Sequence, residues 1–167
     1  MKKKRDNYTF LTHAPIHQVI FTMAIPTIIS MLSTSMYNLV DTYFVGSLNT
    51  QSVAAVGVSF SVMSIIQAVG FFFGHGSGNY ISRQLGAKQH ELAKKMAATG
   101  AVYSFFAGLL IAILGQIFLT PLAIFLGSTP TILPYTERYL GIVMLGAPFM
   151  TLSLTLNNQI RFQGNAA

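Results

Sequence analysis

From Val19 to Ala68 the chain carries one ionised side chain, Asp41, among residues that are otherwise apolar, small or uncharged. A segment of that length with no charged face cannot form the surface helices of a water-soluble domain, whose outer sides must be polar. It is long enough to span a lipid bilayer, which takes about 20 mostly apolar residues per helix. Composition agrees: 8% of the 167 residues are charged and 52% are apolar, where soluble domains carry about 25% charged residues. Too little polar surface remains to cover a water-exposed globule, so lipid is the expected solvent and a soluble four-helix bundle is disfavoured.

The net charge of +6 is gathered into short segments between apolar runs. That is the distribution of membrane topology and not of a phosphate-binding face, so nucleic acid is not an expected partner. With no cysteine in the chain, disulfides and cysteine-ligated metal centres are excluded. His13, His17, His75 and His90 show no metal-ligand spacing; the His13/His17 pair is interrupted by Pro15 and lacks a third ligand. The opening Met1-Lys2-Lys3-Lys4-Arg5 resembles the start of a signal peptide, but the apolar stretch behind it exceeds the usual 7–15 residues and reads as an uncleaved first span.

Four spans are predicted, at about 17–44, 52–85, 93–120 and 135–158. They form a membrane region over 17–160, between a basic segment at 1–16 and a polar end at 161–167. Pro121, Gly127, Pro130 and Pro134 separate the third span from the fourth, with Gly127-Ser128-Thr129-Pro130 as the turn. Gly86 is the expected closing residue of the second span, the uncharged 46–51 stretch the link before it, and Glu91 falls in the first turn of the third. Lys2, Lys3, Lys4, Arg5, Arg83, Lys88, Lys94, Lys95 and Arg161 fall on one side of the membrane, and Arg138 alone on the other. This asymmetry predicts cytoplasmic ends and a multi-pass protein of the plasma membrane. Tyr43, Phe44, Tyr135 and Tyr139 would join the outer aromatic belt.

Counted back from Asp41 at about 100° per residue, Asn38, Tyr37, Thr34 and Ser30 fall on one side of the first helix, and Pro26 lies near it. Such a stripe belongs against other helices or a watery cavity, not lipid. Two readings of Asp41 stand. In one it binds a proton or cation, Na+ included, with Tyr37, Asn38 and Thr34 completing the site. In the other it ends the helix in the hydrated interface, five residues before Gly46. The aligned stripe favours the first. Pro26 removes a helix hydrogen bond and marks either a static bend or a hinge.

On the second helix Gly70, Gly74 and Gly78 recur every four residues, a spacing that lets membrane helices approach closely, with Phe71-Phe72-Phe73 turned to lipid. No Lys-Ser/Thr follows these glycines, so they are not a phosphate loop. His75 is expected to make an interhelical hydrogen bond, and Gln67 and Gln116 to tie helices together. Arg83, Lys88, Lys94 and Lys95 read as a solvated loop touching lipid headgroups.

The order Pro26, Tyr37-Asn38-Leu39-Val40-Asp41-Thr42, Phe44-Val45-Gly46 and Ala54-Ala55-Val56-Gly57 resembles the opening of multidrug and toxic compound extrusion (MATE) transporters. Ile81-Ser82-Arg83-Gln84-Leu85-Gly86-Ala87 is similar to the loop after their second helix. Arg161 with Gln163-Gly164-Asn165 is similar to the motif closing their fourth. The resemblance implies an all-α polytopic fold, with four transmembrane helices forming part of the N-terminal six-helix lobe of a two-lobed, twelve-helix transporter. It implies export of organic, often cationic, compounds by alternating access, coupled to H+ or Na+ with no other cofactor. It gives Asp41 the coupling role and puts Tyr37, Asn38 and Thr34 on the cavity wall. His75 and Asn79 stand where many relatives have small residues.

Only the first four helices of such a lobe are present. The expectation is therefore a leading third, whose partners are the bilayer, the drug substrate and the remainder of the transporter. A flippase of lipid-linked precursors, which would show a more basic cavity, and a non-transporting membrane fragment are the alternatives. An enzyme is not expected, since no nucleophile–base pair occurs at a readable spacing.

Overall fold

The computed structural model describes residues 14–163, with the side chains of Thr34, Asn38, Asp41, Thr42, Val45 and Leu48 also outside the described set. The basic residues Lys2 to Arg5 and the Gly164-Asn165 motif fall outside it. The chain is all-α: α1 Ile16–Leu48, α2 Thr50–Gly86, α3 His90–Ile117, the short α4 Leu119–Phe125, and α5 Leu133–Phe162. Over Ile16–Tyr37 of α1, and in α2, α3 and α5, the helices are long and apolar enough to cross a membrane.

Polarity runs inside out. Large apolar side chains face outward, Phe125 at 87% exposure and Phe72 at 74% among them, whereas Ser59, Ser77, Ser104, Thr136, Thr151, Thr155, Asn158 and Gln159 are buried. In water this arrangement would forgo most of the hydrophobic driving force. In lipid it is favourable, because the outer surface meets acyl chains and the buried hydroxyls and amides bond across helices. Among the described residues no buried side-chain nitrogen or oxygen lacks a hydrogen-bond partner.

The bundle is organised around α5, which packs along both α2 and α3. Small residues set those approaches. A methyl group added at Gly70 would lie 2.9 Å from Leu154 Cβ, at Gly74 2.9 Å from Asn158 Cβ, and at Gly78 2.5 Å from the Phe162 ring. Positions four apart on α2 thus meet positions four apart on α5 in the same order, so the two helices run parallel. Against α3 the order reverses: Gly100 meets Gln159, Gly108 meets Thr151 and Pro148, and Gly115 meets Met144. Towards the α4 end the interior turns apolar, with Val62, Ile66, Ala112, Leu140, Met144 and Ala147 at its centre and Leu119, Leu122 and Leu126 against it.

The connections differ from the sequence expectation in three places. The link expected over 46–51 is the single residue Asn49, because its side-chain oxygen accepts the Ser52 amide at 2.7 Å and starts α2 at once. Gly86 is the last residue of α2 but not its C-cap glycine; Ala87 is the cap. The left-handed position is Lys88, φ 59°, and the amides of Lys88 and Gln89 bond the carbonyls of Leu85 and Gln84 at 3.0 and 2.8 Å, the paired bonds of a Schellman ending. The third span, expected to reach residue 120, stops at Ile117, and a new helix begins at Leu119. That break brings Pro121 into the first turn of α4, where its missing amide costs nothing. Gly127, φ 100°, then closes α4, with its own amide on Ile124 and that of Ser128 on Ala123.

Candidate functional site

Positions 34, 37, 38 and 41 all lie within the continuous helix α1, and helical register carries them along one of its sides. The side chains of Thr34, Asn38 and Asp41 fall outside the described residues, so the structure places their backbone alone. Tyr37 is described, and its side is open, at 71% exposure. Helix α1 stands apart from the bundle: none of its most apolar stretch is buried, and it meets α2 only sparsely, with Gly46 approaching Val53. Pro26 sits within the helix, half-buried, with the Thr27 hydroxyl on the Met23 carbonyl at 2.9 Å. Most of the described surface of α1 is therefore unburied.

The interior of the bundle, by contrast, is closed by hydrogen bonds. From α5, Thr151 Oγ1 donates to the Ser104 carbonyl on α3 at 2.9 Å and Thr155 Oγ1 to the Gly70 carbonyl on α2 at 3.2 Å. Gln159 Nε2 bridges both neighbours, donating to Ser77 Oγ at 2.9 Å and the Ala97 carbonyl at 3.2 Å. Nearer the other end, Gln116 Nε2 donates to the Gly141 carbonyl at 2.7 Å, tying α3 to α5. Each bond fills a polar group that would otherwise face hydrocarbon. The seam is therefore cohesive.

His75 departs from expectation. Its Nδ1 lies 2.9 Å from the Phe71 carbonyl of its own helix, and its contact with α5 is an edge-to-face approach to the Phe162 ring at 5.7 Å. Gly78 makes this possible by letting Phe162 lie against α2. The Thr151–Thr155–Gln159 seam, the buried Pro148 and the small-residue row Gly100, Ser104, Gly108 and Ala112 on α3 were not anticipated from the sequence. The four-residue recurrence on α3 was the readable signal. Among the described residues no three of His, Cys, Asp or Glu gather as metal ligands.

The MatE family profile matches residues 26–167, which takes in the stripe on α1 and the whole bundle. The chain belongs to the MatE family. This MatE chain is 30% identical over 161 residues to a FAD transporter of Shewanella oneidensis, covering 96% of the chain and 35% of the relative. It is 28% identical over 162 residues to the multidrug export protein MepA of Staphylococcus aureus, covering 96% and 36%. A crystal structure of MATE in complex with MaD3S superposes with a TM-score of 0.89 at 27% identity, covering 98% of the chain and 37% of that protein. The chain thus spans about a third of the length of the curated relatives it matches. Family, helical fold and multi-pass membrane character follow directly.

Proposed function

We propose that the chain supplies the opening helices of a MatE exporter in the plasma membrane, which expels organic, often cationic, compounds in exchange for H+ or Na+. Asp41 is its coupling carboxylate, and Tyr37, Asn38 and Thr34 line the cavity beside it. The observation that carries this reading is the openness of α1. Of the four long helices, the one with the lone carboxylate packs most sparsely against its neighbours. A carboxylate in a lipid-facing helix costs about 2.5–3.5 kcal/mol by insertion scales, so it is better placed towards a cavity or other helices. There it binds a cation or proton in one state and releases it in another. A membrane potential adds about 2.3 kcal/mol per charge per 100 mV, enough to drive that cycle. The basic residues at one end of the bundle support cytoplasmic termini.

The multidrug naming of the MepA relatives supports drug export, and the FAD transporter relative supports a second reading in which a flavin dinucleotide is carried. The phosphates of a dinucleotide call for cationic partners, and α1 offers a carboxylate instead. An organic cation therefore fits the site better. The test is efflux from vesicles containing the complete transporter. Ethidium should leave against its gradient when a proton or sodium gradient is imposed, and FAD should not. Gradient-driven FAD efflux without ethidium efflux would establish the second reading.

A further inference from the structure

The two ends of the bundle differ in charge. At one end the last turns of α2 and α5 meet the first turns of α3, fastened by Gln159 to Ser77 and Ala97 and by Phe162 over Gly78. This end carries Arg83, Lys88, Lys94, Lys95 and Arg161 against a single carboxylate, Glu91, among the described residues. Lys94 Nζ donates to Glu91 Oε1 at 2.9 Å, which leaves the net surplus unchanged, five positive charges less one. At the opposite end Glu137 and Arg138 cancel. Beside the basic rim the same helices expose apolar side chains: Tyr80, Leu92, Ile160 and Phe162.

A cationic rim above an oily wall matches an amphiphile with an anionic head. We propose that this end of the bundle is a docking surface for anionic phospholipid, with headgroup phosphates held by Arg83, Lys95 and their neighbours and acyl chains lying along the apolar wall. A polynucleotide would satisfy the rim and leave the wall against water, so its charge complementarity is only half of what the surface offers. Each basic side chain near a membrane surface contributes about 1 kcal/mol to attraction for anionic lipid, or about fivefold in affinity. The inference rests on the chain lying in a membrane and is independent of what it transports.

The test is titration of the detergent-purified complete transporter with phosphatidylglycerol or phosphatidylcholine, with bound lipid counted by native mass spectrometry. Phosphatidylglycerol should bind more tightly than phosphatidylcholine. The double variant Arg83→Gln/Lys95→Gln should lose about 25-fold of that affinity, while Arg83→Lys/Lys95→Arg retains it and Arg138→Gln leaves it unchanged. Equal binding of the two lipids by the unaltered transporter would overturn the proposal. So would full retention by the double glutamine variant, or an equal loss in the charge-conserving variant.

Discussion

At Gly108 an added methyl group would meet the Thr151 hydroxyl, Pro148 Cα at 2.6 Å and the Ala147 carbonyl at 2.9 Å. Two of those neighbours are backbone and cannot turn aside. At Gly76 nothing lies within 4 Å of the same added group. Gly108→Ala should therefore destabilise the bundle by about 1–3 kcal/mol. Gly76→Ala should be neutral or stabilise by up to about 1 kcal/mol through helix propensity. Thermal unfolding in detergent separates the two, and a larger loss at Gly76 would refute the packing described for α3 and α5. The sequence made the glycine row on α2 legible because four-residue spacing is a one-dimensional pattern. It could not reveal that Gly108 faces Pro148, since that depends on how two distant helices are set against each other. The same limit explains His75, where periodicity gives a side of the helix but not a partner.

Among the elements, α5 has the most to lose. It joins α2 and α3 through buried hydroxyl and amide groups, and Gln159 bonds both. Interhelical hydrogen bonds in membranes average about 0.6 kcal/mol and reach about 1.7. Gln159→Leu removes two of them and leaves Ser77 Oγ with its bond to the Phe73 carbonyl. It should lower stability by about 1–2 kcal/mol, read as a fall in the unfolding midpoint in mild detergent. An unchanged midpoint would mean that steric fit of the small residues, and not hydrogen bonding, holds α5 in place. Helix number and type were legible from apolar run length, while the ends were not. Lys88 occupies the left-handed position that Gly86 suggested, and Asn49 replaces a longer link. Both outcomes depend on which carbonyls remain unpaired once the helices have docked.

For the whole molecule, the lack of cysteine makes sidedness directly measurable. With both ends cytoplasmic, Lys95→Cys should react with a membrane-impermeant maleimide only after the membrane is opened, whereas Ser128→Cys should react in intact cells. The reverse pattern would invert the orientation. The relatives the chain matches are almost three times its length. The coupling role proposed for Asp41 is tested most directly in proteoliposomes containing the complete transporter. Proton or sodium flux is measured there as ethidium is expelled, in the unaltered protein and in Asp41→Asn. The amide variant should lose the coupled ion flux and gradient-driven expulsion together. Coupled flux that persists undiminished in Asp41→Asn would contradict it.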